Sequence, residues 1–188
     1  MERIKVHIFK EETMDFIELA KKRYSVRSYS DKKVEKEILD RILEAGNIAP
    51  TAKNQQPQRI YVIEDAALLA KLDTLTPCRY NAPTVLIFTY NTDEDWKNPN
   101  EEGIHAGIED VSIVATHIML QATELGLGTT WCNMFGNTAL EKAFNLPANE
   151  KSVLFMDLGY AAADAEPSPR HTEKKPLEAT VKYLKQEA

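Results

Sequence analysis

Apolar positions along this chain recur with two different periods, and the changes of period mark out its elements. Ile4, Val6 and Ile8 alternate with Arg3, Lys5 and His7, which predicts a short half-buried strand. Thr13 is placed to cap a helix running to Lys22, with Phe16, Ile17 and Ala20 on its buried side. A polar break over 23–30 follows. The spacing of Val34, Ile38, Leu39, Ile42 and Leu43 predicts a helix over 31–45, with Gly46 as its left-handed terminator. A proline-bracketed polar loop over 49–58 leads into the strand-like run 59–63. Residues 66–72 have helical spacing, 77–83 read as irregular, and the β-branched and aromatic run 84–90 predicts a central strand.

The acidic stretch 91–103 reads as a surface loop containing Trp96. The longest helix is expected over 104–125, where apolar residues occupy nearly the whole circumference; such a helix must be covered on most sides, by the core or by another subunit. Gly126 and Gly128 stop it ahead of a strand over 129–135. Thr138 and Glu141 have the spacing of a capping box for a short helix reaching 144, which Pro147 ends. The last strand spans 152–160. A proline-rich charged extension and a tail carrying Leu177, Val181 and Leu184 complete the chain. Strands and helices mix without regular βαβ alternation, so the predicted class is α+β, built around a mostly antiparallel sheet flanked by helices.

Composition narrows the function. The 188 residues fit one domain, 1–188, and with 43% hydrophobic and 28% charged residues they can bury a core. A formal charge of −6 disfavours nucleic acid and anionic membranes as partners, so any basic site must be local. There is no signal-peptide pattern and no long apolar run, which points to a soluble cytoplasmic protein. Cys78 and Cys132 lack CxxC spacing, and His7, His105, His117 and His171 lack HExxH spacing. Neither a disulfide framework nor a metal site is therefore expected, and both cysteines read as inert.

One local basic site exists. Arg23, Ser25 and Arg27 place two guanidinium groups and a hydroxyl where they could converge on an oxyanion, since the planar fork of arginine pairs with phosphate oxygens. The same residues could equally be a solvated basic helix end favoured by the helix dipole. Thr51, Asn54 and the backbone amides of 50–57 suit the polar edge of a heterocycle, or form an ordinary connection. Gly126 and Gly128 follow a helix and precede a strand, the reverse of a dinucleotide-binding fingerprint.

Taken in order, the segment Arg23-Tyr24-Ser25-Val26-Arg27, the Ala49 to Pro57 loop, Ala82-Pro83, Glu124-Leu125-Gly126-Leu127-Gly128 before Trp131, and Lys174-Lys175-Pro176-Leu177-Glu178 resemble the nitroreductase family of FMN-dependent oxidoreductases. The resemblance covers about residues 16 to 183. It implies an intertwined α+β homodimer with FMN sites at the subunit interface. Carried over residue by residue, Arg23, Ser25 and Lys174 would hold the FMN phosphate, with Tyr24 between them, and Arg27 would lie at the pyrimidine edge. Pro50, Thr51, Ala52 and Asn54 would reach the flavin of the partner subunit, while Cys132, Asn133 and Met134 would lie near flavin N5. Where many relatives have a second basic residue before the lysine this chain has Thr172, leaving Arg170 as a substitute; Arg79 is a candidate for a pyrimidine contact.

The resemblance further implies hydride transfer from NAD(P)H through the flavin to a nitroaromatic, quinone or similar flat acceptor, by ping-pong turnover without an obligatory side-chain acid or base. A flavin-binding sensor or store with little turnover is the alternative. A specialised chemistry under a closed lid is a third possibility, which the short 91–103 loop disfavours.

Overall fold

The computed structural model describes residues 15–186, so the strand expected over 4–8 and the cap at Thr13 lie outside the described residues. Four strands form one sheet in the order β1-β2-β4-β3: β1 (Gln58–Ile63), β2 (Thr84–Asn91), β3 (Gly128–Cys132) and β4 (Glu150–Gly159). Every pairing is antiparallel. The two central strands, β2 and β4, are almost wholly buried, which explains why their sequences read as continuous apolar runs rather than alternating ones.

The described residues also form six α-helices: α1 (Phe16–Lys22), α2 (Lys36–Asn47), α3 (Ala66–Asp73), α4 (Gly107–Glu124), α5 (Asn137–Ala143) and α6 (Leu177–Thr180). The pleat divides β2 between two cores. Leu86 and Phe88 face α2 and α4, packing with Leu39, Ile42, Val114 and Ile118. Val85 and Ile87 face the other way, toward Leu69 and Leu72 of α3 and Leu140 of α5. Full burial of side chains such as Ile118 and Phe155 contributes roughly 1.5–3 kcal/mol each.

Several expected boundaries are corrected. The helix expected over 31–45 begins at Lys36 and runs to Asn47. Gly46 does not terminate it: this glycine lies inside the helix, where an added Cβ would meet Ile118 Cδ1 at 2.6 Å. Its purpose is close approach of α2 to α4. The long helix starts at Gly107, because the chain before it is held by a bridge between Lys97 and His105 and bends at Ala106. The strand expected over 129–135 stops at Cys132, leaving Asn133 and Met134 in the following turn.

The capping box is absent. Helix α5 is capped by Gly136 without a side-chain bond, and Glu141 instead accepts from Ser152 N and Oγ at 2.8 and 2.9 Å, tying α5 to β4. On α1, Phe16 and Ile17 are exposed, at 62% and 54%, rather than buried. Among the described residues no helix is long and apolar enough to cross a membrane.

Candidate functional site

The segment after α1 leaves the helix at Arg23, whose extended backbone (φ −63°, ψ 126°) sends 23–30 along the edge of β3. Ser25 forms a parallel bridge with Thr129, and Val26 N donates to the Thr129 carbonyl at 3.0 Å. Gly128 permits this approach, since a Cβ there would collide with the Val26 side chain. Thr130 Oγ1 donates to the Val26 carbonyl, and the Tyr29 hydroxyl is 3.0 Å from the same Oγ1. The glycine pair recognised in the sequence thus seats the basic segment as well as ending a helix.

From the far end of the chain, the 3-10 turn Pro169–His171 returns to the same place. His171 Nε2 meets the Lys21 carbonyl at 3.0 Å and its ring packs edge-on against Tyr24, while the Tyr24 hydroxyl reaches the Ala165 carbonyl at 3.5 Å. The result is a cavity of about 350 Å³ lined by Arg23, Tyr24, Ser25, Arg27, Ser168, Arg170, His171 and Lys174. Four of those side chains are cationic. None of the salt bridges among the described residues involves Arg23, Arg27, Arg170 or Lys174. Cations gathered without carboxylates in a chain of net charge −6 repel one another, and an anionic ligand relieves that repulsion.

Five of the sequence-predicted residues therefore come together: Arg23, Tyr24, Ser25, Arg27 and Lys174. Arg170 joins them, and Ser168 and His171 are additions that no sequence motif announced. Beside this cradle, the Arg27 guanidinium lies 6.0 Å from the Tyr80 ring, which links it to a second group of predicted residues. Cys132 is buried at the end of β3; Asn133 is exposed, with its amide donating to the Val153 carbonyl at 2.7 Å; Met134 is 66% exposed, and its carbonyl accepts from Thr76 Oγ1 at 2.8 Å. Arg79 is engaged elsewhere. It makes a two-pronged pair with Asp73 at 2.6 and 2.5 Å and donates to the Ala82 carbonyl, so it braces its own loop rather than offering a free cation to a ligand.

Pro50, Thr51, Ala52 and Asn54 stand apart from the cradle. Their loop is tied to the first turn of α4, where the Ala52 amide donates to Asp110 Oδ1 at 2.8 Å, and is closed on itself by Thr51 Oγ1, which accepts from Gln56 N at 3.0 Å. Lys53, Asn54 and Gln56 all have left-handed backbones, with φ between 49° and 56°, a conformation costly for side-chain-bearing residues. Burial pushes the Asp110 carboxyl above its ordinary range, opposed by the Ala52 amide. The 91–103 stretch also folds back. Asp95, almost fully buried, holds Lys97 at 2.8 Å and His105 at 2.7 Å.

The fold is an α+β arrangement around an antiparallel sheet, with a cation-lined cavity beside the edge strand β3. Known proteins make the class specific. The model of the Nitroreductase family matches residues 20–80 and 76–160, and the chain belongs to that family. A solved nitroreductase family protein of Clostridium difficile 630 is 40% identical, with a TM-score of 0.85 over 92% of this chain and 100% of its own. An FMN-dependent nitroreductase of Clostridium difficile R20291 is 28% identical, with a TM-score of 0.72 over 90% of this chain and 99% of its own. Among sequences, an NADPH-dependent oxidoreductase of Staphylococcus haemolyticus is 25% identical, covering 81% of this chain and 67% of the relative. The named relatives are oxidoreductases.

Proposed function

We propose that this chain is a single FMN-binding domain, that two copies assemble into a homodimer, and that the dimer oxidises NAD(P)H and reduces a small flat electrophile such as a nitroaromatic or quinone. The observation that carries the proposal is the cradle: Arg23, Arg170 and Lys174, with the Ser25 and Ser168 hydroxyls, line one cavity and have no carboxylate partners among the described salt bridges. A phosphomonoester of roughly −1.5 to −2 charge fits such a donor set. When bound, FMN supplies hydride acceptance and donation, the chemistry that protein side chains lack.

The residues of this chain bind and orient. Arg23, Ser25 and Lys174 fix the phosphate and so anchor one end of the cofactor. Arg27, exposed beside Tyr80, supplies positive charge near the pyrimidine edge, where it favours the electron-rich form of the ring. Asn133 and Met134, exposed in the turn after β3, offer backbone groups at the reacting edge. The strained loop 50–54, fixed by Asp110, serves the site of the second copy.

A second copy has a surface to occupy. Phe16, Leu19, Ile48 and Leu120 border a groove between α1, α2 and α4, and Phe16 and Ile48 are 62% and 74% exposed. Apolar surface of this kind is uncommon on an isolated soluble chain. The test is a visible spectrum of the purified protein, repeated after anaerobic addition of NADH and then NADPH, alongside sedimentation in dilute solution. Flavin bands that bleach in a dimer are expected. Bands that persist with both nucleotides would favour a flavin store or sensor, and a stable monomer would contradict the shared site.

A further inference from the structure

Two cysteines that the proposed function leaves unused come together beside the cradle. Cys78 lies in the irregular segment between α3 and β2, and Cys132 is the last residue of β3, so they arrive from different elements. Cys132 Sγ donates to the Cys78 carbonyl at 3.2 Å, which sets the two residues side by side. Both are free cysteines. Cys78 is half-buried, and its Sγ lies 3.8 Å from Met134 Sδ.

The pair is held by the fold rather than by a chance rotamer. Thr76 Oγ1 accepts from Cys78 N at 3.2 Å and donates to the Met134 carbonyl at 2.8 Å, pinning the loop to the turn after β3, and the Arg79–Asp73 pair fixes the next residue. Burial, and then the neighbouring Asp157, push the Cys132 thiol up, which disfavours it as the first target, so the more accessible Cys78 meets an oxidant first.

We propose that Cys78 and Cys132 form a dithiol site that reacts with hydroperoxides and closes to an intramolecular disulfide. The inference rests on the polypeptide geometry and is independent of the cofactor assignment. Cys78 sulfur, as thiolate, attacks the terminal peroxide oxygen; an S–O bond forms, the O–O bond breaks, and the departing oxygen takes a proton and leaves as water from hydrogen peroxide or as an alcohol from an organic hydroperoxide. Sulfur has then lost two electrons to the peroxide. Cys132 sulfur attacks the sulfenic sulfur of Cys78; the S–S bond forms, the S–O bond breaks, and hydroxide leaves with the Cys132 proton as water. Cys78 is the peroxide-reactive sulfur and Cys132 resolves it. Met134, with an exposed thioether beside Cys78, is the competing target.

The experiment treats the reduced, purified protein with excess hydrogen peroxide at neutral pH, quenches with an alkylating agent under denaturing conditions, and reads intact mass and peptide map. Wild type should lose two hydrogens, leave neither thiol alkylated, yield a Cys78–Cys132 cross-linked peptide within one chain, and return to the starting mass with dithiothreitol. In Cys132→Ser, a sulfenic acid trapped by dimedone should accumulate at Cys78; in Cys78→Ser, Cys132 should remain unmodified. Stable sulfinic acid at Cys78 in wild type, a cross-link found only between chains, or oxygen added at Met134 with both thiols intact would each overturn the proposal, and all three are read on wild type without relying on a variant to fold.

Discussion

The inner face of α4 and the cradle at the edge of β3, built from residues far from α4 in sequence, solve opposite problems. On α4, Val111, Val114, Ala115, Ile118 and Ala122 are fully buried against the sheet and α2. At the cradle, four cations stand together in contact with solvent; Arg27 donates to the Ser25 carbonyl and Lys174 to the His171 carbonyl, and none of the four pairs with an acid in the salt bridges among the described residues. The first region is optimised for folding. The second carries charge repulsion in the folded chain, a departure from local stability that is expected at functional sites. Stability and binding should therefore separate cleanly when the two regions are changed.

The largest effect expected is on binding. Replacing Arg23 and Ser25 together by alanine should weaken FMN affinity by about 3–5 kcal/mol, the sum of charge-assisted contacts, while leaving the melting temperature without FMN unchanged or slightly raised. Titration of each protein with FMN, paired with thermal melts, reads both quantities. A loss of fold with loss of binding would erase the distinction between the regions. The converse change, Ile118→Ala, should cost about 2–5 kcal/mol of stability through the cavity it leaves. Denaturant unfolding measures that cost, and FMN affinity in the folded fraction should stay near wild type.

A subtler effect sharpens the comparison from inside the core. Asp157 is fully buried on β4, neither oxygen has a partner, and burial pushes its carboxyl up to about 9. Unfolded, an aspartate releases its proton near pH 4. The folded chain thus holds a proton that the unfolded chain has lost, so this residue's contribution falls as pH rises from about 4 toward 9 and levels off beyond. Asp157→Asn cannot titrate, so its stability relative to wild type should climb across that window; a pH-independent difference in melting temperature would show the carboxyl to be ionised in the fold.

The fold was more legible than the site. β2 and β4 declare themselves because eight-residue and ten-residue runs, respectively, buried on both faces need continuous apolar sequence, and α4 because its spacing is long and regular. Gly46 misled because glycine after a periodic stretch has two physical uses, ending a helix or letting another helix approach, and only the position of Ile118 distinguishes them. Thr138 and Glu141 misled because the β4 amide of Ser152 competes for the same carboxylate. Within the site, Arg23, Ser25 and Arg27 were visible as a local cluster. Ser168 and His171 were not, because they join it across more than a hundred residues through a turn with no periodic signature. The nearness of Cys78 to Cys132, both of which read as inert, was not legible for the same reason, since sequence spacing carries no information about a loop folding back onto a strand end.

The central claim is that the cradle recognises a phosphate and thereby an FMN. It is tested most directly by titrating the protein with FMN and, in parallel, with riboflavin, which has the same ring and ribityl chain but no phosphate, following quenching of flavin fluorescence. Saturable FMN binding with riboflavin weaker by about a hundredfold or more is the predicted result, in line with two or more charge-assisted contacts to the phosphate. Equal affinity for the two flavins, or failure to bind FMN at all, would contradict it.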